Sequence, residues 1–234
     1  MKRFYKIVSV QKAGQGYQIL LDGRPVKTAM KKELIAANEG IANALMQEWA
    51  NIEEEIIPDN MPLTQILNTK IDRVANEREK MQELLFKYLD TDLLCYRTDH
   101  PPELLELQEA AWNPYLDWFE GKFGCALETT QSIAAIDQPD DAHEKVQNSI
   151  KALDDDHFTA LQLITATCGS LVLGLASLDQ KANADNVFAA MRVEENFKAK
   201  IYNEEFYGPD PAQAKKDEAL KTDLEAALKY LSYL

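Results

Sequence analysis

The sequence predicts an α+β protein in which a small N-terminal domain that mixes a β-sheet with helices precedes a larger helical domain. One observation is that residues 4–28 are rich in β-forming residues and carry two Gly-containing turns, which is typical of a β-meander. The other is that the apolar period lengthens from two residues to between three and four after Leu34. We place the boundary near residue 85, which gives domains 1–85 and 86–234.

The predicted sheet begins with an extended run near Phe4, turns at residues 13–16, and continues as a second strand over residues 17–21. Asp22-Gly23 can adopt positive φ and therefore predicts a tight hairpin, after which residues 25–28 continue extended. Gly14 and Gly16 resemble part of a nucleotide-binding loop. The third glycine and the following helix are missing, so a hairpin is favoured.

Helical spacing follows through most of the remaining chain. Asn38 is a plausible N-cap for a helix whose apolar face carries Ile41, Leu45 and Trp49. Further helices are predicted from Thr64 to Val74, from Arg78 to Leu94, from Pro102 with a restart at Pro114 and an end at Gly121 and Gly124, from Asp140 through Ile150, across 158–178, from Asp185 through Phe197, and from Leu220 to Leu231.

Residues 158–178 carry no charge over nearly the length of a membrane-spanning helix. Several Thr and Ser residues interrupt the run, and aspartates flank it where Lys or Arg would orient a true span. Gly169 and Gly174 suit close helix packing. We therefore expect buried core helices and no membrane insertion.

The net charge of −14 is distributed unevenly. Residues 1–35 carry eight Lys or Arg against two acidic residues, a local charge of +6. The acidic remainder disfavours nucleic acid or an anionic bilayer as the main partner, because like charges repel.

The three cysteines, Cys95, Cys125 and Cys168, are widely separated and odd in number, which favours a reducing compartment. The N-terminus lacks the apolar stretch of an export signal and begins with Met, so we expect a bacterial cytoplasmic protein.

The sequence carries no signature of catalysis, metal binding or phosphate binding, so no cofactor and no metal are expected. Acidic and aromatic residues coincide at Glu194-Glu195 near Phe197 and at Glu204-Glu205 beside Phe206-Tyr207. Such a patch can bind a protein partner through aromatic anchors and charge. Two alternatives stay open: a small-molecule hydrolase or lyase that uses carboxylates in the cleft between the domains, and a scaffold whose acidic surface only maintains solubility.

Eight short motifs occur in a fixed order along nearly the whole chain: RFYK, LDGRPVKT, the EW pair at Glu48, MPLT, NTKIDRV, TDLLCYR, a cluster of Gln108 with Trp112-Asn-Pro, and GSLVLGLA, followed by the Glu194 segment. In this order they resemble the assembly chaperone family that binds the alpha subunit of F-type ATP synthase in mitochondria and alphaproteobacteria. The resemblance implies an orthogonal bundle for the helical domain. It also implies a protein that is not an enzyme and that holds the unassembled alpha subunit before alpha meets beta. We expect the chain to mask the beta-facing surface of alpha until beta displaces it by competition.

The resemblance further implies that Glu194 is the acidic residue of a family segment that binds the partner. Lys198, Tyr202 and Asn203 stand where the family commonly has Gln, Trp and Gly. We therefore expect a partner-binding site comprising Glu194, Glu195, Phe197, Tyr202, Glu204 and Glu205. Eukaryotic relatives are expected in the mitochondrial matrix, and this chain is expected to be monomeric when free. Trp49, Asp72, Tyr96, Trp112 and Trp118 are interpreted as core or junction anchors rather than partner contacts.

Overall fold

The computed structural model describes residues 1–201, 208 and 211–234. The strands are β1 (Val8–Ala13), β2 (Gly16–Leu21), β3 (Arg24–Pro25) and β4 (Ile35–Ala36). The helices are α1 (Glu39–Ala50), α2 (Pro62–Thr69), α3 (Ala75–Phe86), α4 (Pro102–Phe123), α5 (Asp140–Lys151), α6 (Asp155–Cys168), α7 (Leu171–Leu178), α8 (Ala184–Met191), α9 (Val193–Ile201) and α10 (Pro211–Leu231). Short 3₁₀ turns occupy Pro58–Asn60 and Leu93–Cys95, and a π-helical turn at Lys70–Val74 connects α2 to α3.

The sheet is small and antiparallel, and the predicted α+β class is confirmed. β2 lies in the middle, with β1 on one edge and both β3 and β4 on the other. Asp22 and Gly23 adopt φ values of 48° and 80°, as the predicted hairpin requires. β4 was not predicted, because two residues are too few to produce an alternating pattern.

Helix α1 covers the sheet through its apolar face. The Asn38 side chain caps the helix by accepting the N–H of Ile41 at 2.9 Å, as predicted. Ile41 and Leu45 are fully buried, and α1 packs against β1 and β2. The Asn38 cap and the burial of the apolar face therefore both stabilise α1.

The predicted restart at Pro114 is wrong, because α4 runs without a break from Pro102 to Phe123. A proline inside a helix removes one hydrogen bond and crowds the preceding turn. Trp112 and Phe119 on either side are fully buried, so the continuous helix retains a large apolar contact that offsets this cost. Gly121 lies inside the helix, and Gly124 ends it with φ of 65°.

Several other predicted helix limits are corrected. Helix α3 ends at Phe86 rather than near Leu94, the helix predicted from Asp185 through Phe197 divides at Arg192, and α10 begins at Pro211 rather than Leu220. The amphipathic spacing of residues 64–74 includes a π-helical turn, which apolar spacing does not distinguish from an α-helix.

The uncharged run at 158–178 forms buried helix, as predicted, but its two glycines have different roles. Gly169 adopts φ of 71° and ends α6, so its predicted role in close packing is wrong. At Gly174 a Cβ atom would lie 2.5 Å from Thr165 Oγ1 and 2.8 Å from Leu161 Cδ1, so glycine allows α7 to approach α6 there.

The chain forms two compact units. The first contains Met1–Glu79, Asp154–Ala160 and Lys229–Leu234, and the second contains Lys80–Leu153 and Leu161–Leu228. In the first unit, the Asp156 carboxylate accepts Tyr230 Oη–H at 2.5 Å and pairs with Lys70 Nζ at 2.6 Å. These two contacts connect the three segments of the unit. The division into an N-terminal domain 1–85 and a C-terminal domain 86–234 stays a prediction.

Candidate functional site

The sequence motifs contact each other two by two. In each pair, side chains of one motif form hydrogen bonds with backbone or side-chain atoms of the other. The EW pair contacts MPLT: Glu48 accepts the N–H groups of Leu63 and Thr64, each at 2.9 Å, at the start of α2. Trp49 Nε1–H donates to Thr64 Oγ1 at 3.1 Å. Burial raises the pKa of Glu48. This carboxylate satisfies helix N–H groups that otherwise have no partner.

LDGRPVKT and NTKIDRV form a second pair. Thr28 Oγ1–H donates to Asp72 Oδ1 at 2.8 Å, and the Met30 N–H donates to Asp72 Oδ2 at 3.1 Å. Lys32 Nζ donates to the Ile71 carbonyl at 2.9 Å. Both oxygens of the buried Asp72 are therefore used within the fold.

TDLLCYR and GSLVLGLA form a third pair around Asp92, which is fully buried. Its carboxylate accepts the N–H of Leu94 at 3.0 Å and the N–H of Val172 at 2.9 Å. Ser170 caps α7 by accepting the N–H of Leu173 at 3.0 Å. Burial raises the pKa of Asp92 to about 6, although these N–H groups favour the ionised form. Asp92 therefore holds the start of α7 to the turn before α4.

The raised pKa of Asp92 predicts a pH-dependent stability. The folded state binds more protons than the unfolded state between the unfolded pKa near 4 and the folded value of about 6. The free energy of unfolding should therefore fall by roughly 3 kcal/mol as the pH rises through this window. Urea denaturation at several pH values measures this change. Asp92→Asn should remove the change in the free energy of unfolding between the two pKa values. If the free energy of unfolding of this variant still falls with pH as it does in the unmodified chain, groups other than Asp92 cause the pH dependence.

The fourth pair joins α4 to the end of α8 and the start of α9, and it contains the candidate site. Trp112 Nε1–H donates to the Ala190 carbonyl at 2.9 Å from a fully buried position. Gln108, one turn earlier on α4 and also fully buried, donates from Nε2 to Glu194 Oε1 at 3.0 Å. Its other amide atom, Oε1, accepts the Thr98 N–H at 2.8 Å. The Gln108 amide is thus fixed at both ends.

Glu194 differs from Asp72 and Asp92 in that its side chain is 41% exposed. Gln108 holds one carboxylate oxygen, while the other lies 3.9 Å from Lys198 Nζ on the next turn of α9. An exposed pair at this distance contributes only about 0.3–0.5 kcal/mol. Glu194 therefore presents to solvent a negative charge whose position is fixed. Lys198, which stands where the family commonly has Gln, neutralises this charge only weakly.

Glu195 faces a different neighbour. Its carboxylate lies 3.7 Å from Arg192 Nη1, while Arg192 Nη2 pairs with Asp217 Oδ2 of α10 at 2.8 Å. Gln213 Nε2–H donates to the other Asp217 oxygen at 2.7 Å. Arg192 is buried, so its charge is compensated by Asp217 and, more loosely, by Glu195. This arrangement connects the start of α9 to the first half of α10.

The apolar part of the candidate site lies on α9. Phe197 is half-buried and Ile201 is 62% exposed. Residues 194, 197 and 201 are spaced three and four apart, so they share one side of the helix with Glu194. The structure thus places Glu194, Glu195 and Phe197 on one helix. The other predicted site residues, Tyr202, Glu204 and Glu205, lie outside the described residues.

Sequence reasoning did not include Gln108 and Arg192 in the site. Gln108 has a detectable signal, because it is a polar residue spaced four positions from both Leu104 and Trp112 on the apolar face of α4. Arg192 interrupts an otherwise regular helical pattern, and nothing in the local sequence pairs it with Asp217 on α10.

Within the described part of the chain, no three His, Cys, Asp or Glu side chains come together as candidate metal ligands. The helices built from those same residues include none that is both long and apolar enough to cross a bilayer. Cys95 and Cys168 are buried, Cys125 is half-buried, and all three are free thiols. Burial raises the pKa of Cys168 to about 12.

Comparison with known proteins places this geometry in a family. The model of the ATP12 chaperone protein family matches residues 2–120. The mitochondrial protein atp12 of Schizosaccharomyces pombe is 26% identical over 205 residues, which cover 82% of this chain and 70% of that protein.

Solved structures extend the similarity to the whole fold. Atp12 from Paracoccus denitrificans is 30% identical, with a TM-score of 0.88 over 99% of this chain and 97% of that chain, and an aspartate-to-lysine mutant of it matches equally well. The Atu1473 protein from Agrobacterium tumefaciens is 31% identical, with a TM-score of 0.91 over 99% of this chain and 85% of that chain. The chain therefore belongs to the ATP12 chaperone family.

Proposed function

We propose that this chain is an assembly chaperone for the catalytic sector of F-type ATP synthase, that it binds the unassembled alpha subunit, and that it masks the surface that the beta subunit later covers. The observation that carries the proposal is the Glu194 carboxylate, which is exposed to solvent while the buried Gln108 amide fixes its position. A charge held in this way loses little conformational freedom when a partner binds. Membership in a chaperone family supports the same conclusion.

The surface around Glu194 combines the two properties that such a partner requires. Phe197 and Ile201 supply apolar area beside the acid, and Glu195 adds a second carboxylate. We take the face of alpha that beta later covers to be apolar and partly basic. Exposed apolar surface aggregates unless it is covered. Opposite charge increases the rate of encounter, while the apolar contacts slow dissociation.

Release requires no covalent chemistry in this proposal. Beta and the chaperone compete for one face of alpha, so a rising concentration of beta shifts the population to the assembled complex by mass action. We propose that the chain acts as a monomer in the bacterial cytoplasm and uses neither a metal nor a cofactor. Binding and displacement are then sufficient for its function.

Co-expression with the alpha subunit alone tests the proposal. The tagged chain should retain alpha through affinity purification and increase the soluble fraction of alpha. Addition of purified beta should release alpha from the immobilised chain. If alpha is neither retained nor made more soluble, the proposed function is wrong. If alpha is retained and beta does not release it, binding stands and the masking mechanism is wrong.

A further inference from the structure

The outer edge of β1 has unpaired backbone groups. In an antiparallel ladder, successive residues direct their N–H and C=O groups alternately to opposite sides of the strand. The N–H of Asp22 donates to the Ile7 carbonyl at 2.9 Å, which fixes the register of this alternation. It follows that Ser9, Gln11 and Ala13 bond to β2, while the backbone groups of Val8, Val10 and Lys12 point away from it.

The hydrogen bonds between β2 and β3 indicate the same alternation of inward and outward backbone groups along β1. The N–H of Val26 donates to the Ile19 carbonyl at 2.9 Å, so Ile19 faces β3 and its neighbours along β2 face β1. Across the residues that the structure describes, no backbone or side-chain hydrogen bond from outside the sheet reaches the N–H or C=O groups of Val8, Val10 or Lys12. β1 is therefore an open edge.

Apolar and basic side chains adjoin this edge. Phe4 and Ile7, just before the strand, are 65% and 66% exposed, and Val8 and Val10 are half-buried. Lys6 and Lys12 are exposed at either end of the open segment. Native proteins commonly protect an edge strand with a lysine, but they seldom place exposed Phe and Ile beside it. Exposed apolar side chains beside lysines are therefore better explained by an edge that binds a partner than by an edge that is protected from pairing.

We propose that the outer edge of β1 binds an extended segment of a partner polypeptide in which acidic and apolar residues alternate, and that this segment adds to the sheet as a further strand. The outward groups of Val8, Val10 and Lys12 supply the hydrogen bonds, as in other cases of strand addition. Lys6 and Lys12 select acidic side chains by charge complementarity. β1 belongs to the first compact unit and Glu194 to the second, and the inference does not depend on the proposed function.

A second copy of this chain fits the same edge less well. Pairing of β1 with another β1 would bring the Lys6 and Lys12 residues of two copies onto one short ladder, where like charges repel. An acidic segment places opposite charges there instead. Charge therefore favours a different polypeptide as the occupant.

Binding of synthetic peptides to the full-length chain tests the proposal directly. A fluorescent peptide of alternating valine and glutamate should bind in an anisotropy titration, about tenfold more tightly than the same peptide with lysine in place of glutamate. Methylation of alternate backbone nitrogens in the acidic peptide should abolish binding, because it removes the donors of the ladder. Equal binding of the acidic and basic peptides would overturn the proposed selectivity.

Amide exchange measured by NMR identifies the bound edge in the unmodified protein. The N–H groups of Val8, Val10 and Lys12 should exchange quickly in the free protein and become protected when the acidic peptide is added. Those of Ser9 and Gln11 should be protected in both states, because they already bond to β2. Failure of the three outward amides to gain protection would overturn the proposal, whatever the affinity of the peptide.

Val10→Pro provides a matched variant, because it removes an outward N–H without removing a bond to β2. Peptide binding should weaken at least about tenfold, while Gln11→Ala, an exposed side chain on the same strand, should bind as the unmodified chain does. Unaltered binding in Val10→Pro would overturn the proposal. A dimer in analytical ultracentrifugation that Val10→Pro dissociates would also overturn it, in favour of self-association.

Discussion

Glu194→Lys is expected to weaken capture of the ATP synthase alpha subunit at least about tenfold, because it places a positive charge where the proposed partner surface is partly basic. The loss of the carboxylate also leaves the buried Gln108 Nε2 without its acceptor, which costs about 1–3 kcal/mol. The midpoint of the thermal transition should therefore fall by roughly 2–12 °C while the protein remains folded at room temperature. Co-purification with alpha measures the first effect, and circular dichroism during heating measures the second.

Two further variants separate charge from structure. Glu194→Gln keeps an oxygen that can accept from Gln108 and removes only the charge, so it should fold normally and capture alpha to an intermediate degree. Glu225→Lys is a matched charge reversal on α10: Glu225 lies 3.9 Å from Lys221, the same distance that separates Glu194 from Lys198, and is 58% exposed. It should capture alpha as the unmodified chain does.

The pattern across these variants determines the role of Glu194. If Glu194→Lys unfolds the protein while Glu194→Gln remains folded and fully active, the residue has a structural role through Gln108. If Glu225→Lys reduces capture as strongly as Glu194→Lys, the overall negative charge rather than this site attracts the partner. The proposed site requires a loss at Glu194 that Glu225 does not reproduce.

The parts of the fold that sequence predicts well are those with a local physical cause. The Asp22-Gly23 hairpin follows from residues that tolerate positive φ, and α1 follows from the Asn38 cap and the apolar spacing behind it. Each signal lies within a few residues of the feature that it specifies. Such features can be recognised without knowledge of the rest of the chain.

The errors occur where distant contacts override a local preference. Pro114 has the sequence signal of a helix break, yet the buried residues around it keep α4 continuous. Gly169 and Gly174 have similar settings in the sequence, and only the structure shows that one ends a helix while the other allows two helices to approach. Local patterns do not specify which neighbours a residue will have.

The same limit applies to the candidate site. Resemblance to a family indicated Glu194, whereas periodicity gave no reason to choose it from many acidic residues on solvated helix faces. The pairing of Gln108 with Glu194 spans 86 positions and depends on the packing of α4 against α9. Arg192 and Asp217 are a similar case. Sequence therefore indicated the acid, and the structure identified the residues that position it.

Trp112→Ala is expected to reduce the free energy of unfolding by about 3–5 kcal/mol, because it removes a fully buried side chain and leaves a cavity. It also leaves the Ala190 carbonyl without the indole N–H that it accepts at 2.9 Å. Since Ala190 lies in α8 just before the turn that leads into α9 and Glu194, loss of this contact should also reduce capture of alpha. Urea denaturation followed by circular dichroism measures the stability without relying on tryptophan fluorescence.

Trp118→Ala on the same helix is the matched control. Trp118 is half-buried, and its ring lies 5.3 Å from Lys122 Nζ, so its removal forfeits less buried area and a single cation–π contact of about 0.5–1 kcal/mol. Trp112→Phe should recover most of the lost stability, because it refills much of the cavity and lacks only the N–H donor. Equal destabilisation by Trp112→Ala and Trp118→Ala would contradict the assignment of Trp112 as the anchor between α4 and the turn before α9.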